Sequence, residues 1–82
     1  MNRPTTFREL PPRVQALLIM AAADSNCTPA EILGTSRQHH IVVARRTVVK
    51  RCRELTPQPS MEVIGRWLNL HHTTVLYALR QP

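Results

Sequence analysis

The sequence predicts an all-α protein, a compact bundle of about five helices that contains a helix-turn-helix. Three observations carry this expectation. Apolar residues recur at intervals of three and four through most of the chain. Prolines and a glycine cut that pattern into short segments, several of which begin with a capping residue. The glycine-punctuated alternation of a small all-β domain is missing, and with two Gly and single Phe, Trp and Tyr residues the apolar content falls on Val, Leu, Ile and Ala. At 82 residues the chain is one domain at most. Helical packing is the least demanding way for so short a chain to build a core.

The elements follow in order. Residues 1–11 are polar apart from Phe7 and Leu10, and they are expected to form a flexible N-terminal arm before a folded domain over 12–82. Arg3 and Arg8 are minor phosphate candidates within that arm. The first helix is expected from Pro12 or Arg13, because proline suits the first turn, and to end between Asp24 and Asn26. Val14, Leu17, Leu18 and Ala21 form one face of it, and Ile19, Met20 and Ala22 widen that face, so this helix is expected to be the most enclosed. Thr28, Pro29 and Glu31 spell an N-cap, a first-turn proline and a capping box, and Gly34 stops the short helix they open. A polar loop, GTSRQHH over 34–40, carries Arg37 at its middle.

The longest periodic segment is 41–55. Ile41, Ala44, Val48, Cys52 and Leu55 make an apolar stripe, while Arg46, Lys50 and Arg53 step along another face. Arg45 lies between the two. The prolines of TPQP over 56–59 must end that helix. Ser60 then caps the next one, with Glu62 in its first turn and Val63, Ile64, Trp67 and Leu68 as its packing face. Gly65 in mid-helix costs about 1 kcal/mol relative to Ala, which makes sense if another helix crosses closely there. Asn69 and Leu70 form the turn. The last helix starts near His71 or His72, turns Val75, Leu76 and Leu79 inward, leaves Tyr77 half-buried, and cannot pass Pro82.

Composition narrows the function. Eleven Lys and Arg stand against five Asp and Glu, a formal net charge of +6, and ten of the eleven are Arg. Such a balance suits phosphate neutralisation on a nucleic acid, and the arginines suit planar recognition of phosphates and guanine edges. The longest apolar run, 16–23, is too short to span a bilayer, so no membrane partner is expected. Cys27 and Cys52 read as two reduced thiols. They do not combine with His39, His40, His71 and His72 into any zinc spacing, so no metal and no cofactor is expected. The acids Glu9, Asp24, Glu31, Glu54 and Glu62 are scattered, no glycine-rich phosphate loop or nucleophile-base pair is present, and the chain is too small for a substantial pocket. The protein is therefore not expected to be an enzyme or to take a small-molecule substrate.

Recognition remains. In a helix-turn-helix the first residues of the second helix meet base edges in the major groove. His71, His72, Thr73 and Thr74 occupy that place, where histidine donates or accepts according to its tautomer and threonine offers a hydroxyl and a methyl. Arg37 is a candidate for the minor groove, and Arg46, Lys50 and Arg53 are phosphate candidates on charge and helical phase.

HHTTVLYALR over 71–80, preceded by EVIGRWL over 62–68 and RRTVVKRCRELT over 45–56, resembles the C-terminal DNA-binding domain, domain IV, of the bacterial replication initiator DnaA. That family carries a DHTTVLHA-like signature in its recognition helix, an EIG-like helix before it, and a long helix of A-R-x-x-A-x-x-L-x-x-x-L-T character. The similarity spans about 29–80, without gaps over 30–56. The resemblance implies a Trp-repressor-like helical bundle. It also implies base contacts from His72 and Thr73, a minor-groove contact from Arg37, and phosphate contacts from Thr74 and Arg45. His71 stands where the family has an acid, so a different target sequence is expected there. Leu70 replaces a basic residue, the turn is one residue shorter, and the loop before the helix-turn-helix is one residue longer. The family's ATPase domain is absent from these 82 residues.

The expected function is sequence-specific binding of double-stranded DNA by a cytoplasmic, nucleoid-associated transcription regulator without ATPase activity, of bacterial or phage type. RNA polymerase or another regulator would be its further partner. The alternatives are a replication-initiation regulator that occupies DnaA-like sites, and a basic adaptor for an acidic protein.

Overall fold

Helix starts that the sequence marks with a cap are built on those caps. In a computed structural model the described residues are 4–80, so Arg3 and the stop expected at Pro82 lie outside them. Five α-helices follow a 3-10 turn at Phe7–Glu9: α1 (Pro12–Asp24), α2 (Pro29–Leu33), α3 (His39–Arg53), α4 (Met61–Leu68) and α5 (His72–Arg80). Thr28 Oγ1 accepts from the Glu31 amide at 3.2 Å while the Glu31 carboxylate accepts from the Thr28 amide at 3.0 Å, the reciprocal pairing of a capping box. Ser60 Oγ accepts from the Val63 amide at 3.2 Å and opens α4. The all-α expectation holds.

The core is arranged around α3, which packs against each of the other four α-helices. Its residues Ile41, Ala44, Val48, Val49 and Cys52 are all buried. This places the most enclosed helix differently from the sequence reading, which chose α1. Ile19 and Met20 of α1 are 54% and 64% exposed, because α2 and α3 pack on the Val14, Leu18, Ala21 and Ala22 side alone. A continuous apolar run does not reveal which flank has a neighbour. Helix α3 also starts earlier than the expected 41, since the Gln38 carbonyl already accepts from Ile41 and Val42. The exposed His39 and His40 form a first turn that apolar periodicity cannot register.

The stretch expected to be a flexible arm makes specific contacts from Thr5 onward. Leu10 is 4% exposed and belongs to the core. Gln15 Nε2 donates to the carbonyls of Phe7 and Leu10 at 3.0 and 3.1 Å. Thr5 reaches across the chain to the helix-turn-helix, where its amide donates to Asn69 Oδ1 at 2.6 Å and its hydroxyl to the Arg66 carbonyl at 2.8 Å. These partners are mostly backbone carbonyls, which side-chain composition does not encode.

Two residues make the turn between α4 and α5 possible. Asn69 is left-handed, with φ 61° and ψ 38°, a conformation that asparagine tolerates better than most residues. Its Nδ2 donates to the carbonyls of Thr5 and Leu33 at 2.9 and 3.1 Å. Gly65 is the second. The Leu70 amide donates to the Gly65 carbonyl at 2.7 Å, and a Cβ on Gly65 would lie 2.5 Å from the Leu70 carbonyl oxygen. The close neighbour at Gly65 is therefore the returning backbone of the turn, where the sequence reading expected a crossing helix.

Both thiols are free. Burial pushes Cys52 up to about 11 against the opposing pull of Arg13, and burial with Glu31 raises Cys27 as well.

Gly65→Ala should be destabilising by about 1–3 kcal/mol, although alanine is the better helix former by about 1 kcal/mol. Urea unfolding checks this, and an unchanged or raised midpoint would mean that the turn is looser than described. Raising the pH from about 9 to 11 should lower the wild-type midpoint, because the unfolded chain ionises Cys52 first. That alkaline loss should be smaller in Cys52→Ala.

Candidate nucleic-acid interface

Helix α5 presents four consecutive exposed polar side chains, His71, His72, Thr73 and Thr74, at its N-terminus. Its body is anchored by Val75 and Ala78, both buried, with Leu76 and Leu79 half-buried. Ala78 thus takes the fully buried place that spacing alone assigned to the leucines. His71 is the residue before the helix and caps it: its Nδ1 accepts from the Thr73 amide at 3.3 Å and lies 2.8 Å from Thr73 Oγ1. The rings of His71 and His72 pack with centroids 4.3 Å apart and a 34° tilt. The tip is therefore ordered by its own contacts.

Thr74 shares a second feature with α3. A shallow cleft of about 150 Å3 has Val42, Val49, Leu70 and Ala78 as its apolar floor, with Arg45, Arg46, Thr74 and Tyr77 completing it. Arg46 of α3 thus meets Thr74 and Tyr77 of α5 beside apolar residues, a setting suited to an anionic group and the sugar next to it. Tyr77, 59% exposed, is more open than the half-buried position the sequence suggested. Its place beside Thr74 was legible in the spacing of three along α5, but composition drew attention to the histidines instead.

The cations differ sharply in what they touch. Arg45, a phosphate candidate by resemblance, turns its guanidinium inward. Nε donates to the Ile32 carbonyl at 2.8 Å, Nη1 to Ser36 at 3.1 Å, and Nη2 to Glu31 at 3.3 Å and Gly34 at 3.1 Å. A guanidinium has five N–H donors, so a single one, on Nη1, is left. The carbonyls of Glu31, Ile32 and Gly34 lie in the last turn and cap of α2, where a cation is favoured by the helix dipole, and that of Ser36 belongs to the loop that follows. Gly34 itself has φ −85°, so α2 ends on an arginine rather than on a left-handed glycine. Burial holds the Arg45 pKa below its ordinary value, with Cys27 opposing. These four contacts tie the loop after α2 to α3, and they leave Arg45 one Nη1 N–H.

That loop carries Arg37, which is exposed, and is further tied by the Gln38 amide donating to Ser36 Oγ at 3.3 Å. The loop base and the start of α5 lie close, since Gly34, Thr35, Leu70 and His71 border one groove. Arg53 is also engaged: its Nη1 donates to the Pro59 carbonyl at 2.7 Å, and Gln58 donates back to the Arg53 carbonyl at 2.9 Å. Arg46 and Lys50, both half-buried, have no hydrogen bond or ion pair with the described residues. Among the described residues no three His, Cys, Asp or Glu gather as a metal site, and no helix is long and apolar enough to cross a membrane.

Arg45→Lys should destabilise the fold by about 1–3 kcal/mol, because a point charge cannot serve four carbonyls at once. For a domain of this size that corresponds to roughly 4–8 °C in Tm per kcal/mol. A lysine variant with unchanged thermal unfolding would return Arg45 to the pool of solvent-facing cations.

No solved structure matches the chain. The sequence profile described as bacterial dnaA protein helix-turn-helix matches residues 15–81. That span takes in all of α2 to α5 and the exposed tip at His71 to Thr74, and the chain therefore belongs to the bacterial DnaA helix-turn-helix family, a family of DNA-binding domains.

Proposed function

We propose that this protein binds double-stranded DNA with sequence preference and acts as a transcription regulator. The observation that carries the reading is the exposed polar tip of α5 on a helix whose body is core. With that tip in the major groove, His72 and Thr73 read base edges. Thr74, Arg46 and Lys50 hold the phosphate backbone beside it, Arg53 supports them at the far end of α3, and Arg37 enters the neighbouring minor groove. Arg45 acts through the loop that presents Arg37. Nothing in this arrangement calls for nucleotide hydrolysis, and RNA polymerase or another regulator would be the partner that converts occupancy into an effect. A second reading, control of replication by occupying initiator-like sites, is favoured by the family match and by the string HTTVL over 72–76.

Titration of a duplex at several salt concentrations is the first test. With Arg37, Arg46, Lys50 and Arg53 engaged, log affinity should fall against log salt with a slope of about −3 to −4. Absence of any duplex affinity at low salt would remove both readings. Selection of bound duplexes from a random pool then separates them, since replication control requires the selected sequence to match an initiator box. His72→Ala and Thr73→Ala should each lose discrimination on the order of 1–3 kcal/mol. Lys50→Ala should weaken all duplexes alike and lower the salt slope by about 1.

A further inference from the structure

The cap at the start of α5 decides which hydrogen-bonding species His71 is. A backbone N–H only donates, so the Nδ1 facing the Thr73 amide at 3.3 Å must carry its lone pair there. A proton on Nδ1 would point at the amide hydrogen, and it would sit at the positive end of the helix dipole. The Thr73 hydroxyl, 2.8 Å from the same nitrogen, is able to donate to that lone pair too. Neutral His71 is thereby held as the tautomer with its proton on Nε2. A doubly protonated ring would also keep that Nε2–H. The one species that would make Nε2 an acceptor is the one the cap excludes. The ring is exposed, and it is steadied against His72 at 4.3 Å between centroids.

We infer that His71 determines specificity as a fixed donor: its Nε2–H selects a guanine in the major groove and rejects a cytosine at that position. Guanine offers two adjacent acceptors, N7 and O6, whereas cytosine presents an amine that meets the Nε2–H donor to donor. Adenine flanks its N7 with an amine, and thymine flanks its O4 with a methyl, so both rank below guanine. The inference rests on the DNA-binding reading proposed above.

The test compares wild type, His71→Asp and His71→Ala by selection of bound sequences from a random duplex pool, with folding verified by circular dichroism. Aspartate keeps the N-cap, being among the best residues for it, but replaces the donor with an acceptor. The expected result is one position that favours guanine in wild type and changes to cytosine in His71→Asp, with preferences on the order of tenfold. His71→Ala should flatten that position. If wild type selects a sequence but His71→Asp leaves every position as it was, the inference fails while DNA binding stands. If wild type selects nothing and binds no duplex, the DNA reading fails and takes the inference with it. Independently of DNA, a long-range proton–nitrogen correlation spectrum of the free protein should report Nε2 protonated and Nδ1 bare for His71. The opposite tautomer would overturn the donor assignment outright.

Discussion

The tight return of the chain between α4 and α5 is the constraint on which the rest of the interface depends. Gly65 lets the Leu70 carbonyl come within contact of α4, and Asn69 bends the backbone through the left-handed region that completes the turn. The Asn69 side chain then gathers Thr5 from the N-terminal stretch and Leu33 from the end of α2. Three parts of the chain distant in sequence are thereby fixed at the point where α5 begins. Because the direction of α5 sets where its four polar tip residues project, a small loosening of the turn would move all of them together.

Several of the cations are occupied within the fold and are not free for a partner. The net charge suggests a broad basic surface, yet Arg13, Arg45 and Arg53 donate to carbonyls of neighbouring loops, and Arg51 lies 3.8 Å from Glu54. Arginine is well suited to this work, since its planar fork satisfies several carbonyls that would otherwise be orphaned at helix ends. In a chain with two glycines, arginine does part of the helix-ending that glycine does elsewhere. Counting basic residues therefore overstates the number of phosphate contacts, although Arg37, Arg46 and Lys50, and likewise the exposed Arg8, Arg66 and Arg80, have no such contact among the described residues.

Much of the fold was legible locally. The capping box at Thr28, the cap at Ser60, the first-turn proline at Pro12 and the apolar stripe of α3 all rest on interactions within four residues, and the structure contains each of them. The exposed tip of α5 was legible for the same reason, because a polar run ahead of an apolar helix stripe is a one-dimensional pattern. The exposure of Ile19 and Met20, the docking of Thr5 and the inward turn of Arg45 were not, since each depends on a partner between 9 and 64 positions away or on the lack of a packing neighbour.

The sequence by itself determined the helices, their order, the basic character of the protein and the exposed polar start of α5, because helix formation and capping are governed by near neighbours along the chain. Tertiary structure decided which arginines are held by the fold and how the N-terminal stretch joins the core. Those outcomes hang on where backbone carbonyls and amides fall in space, and every residue carries the same backbone groups, so no reading of side chains along the chain could have located them.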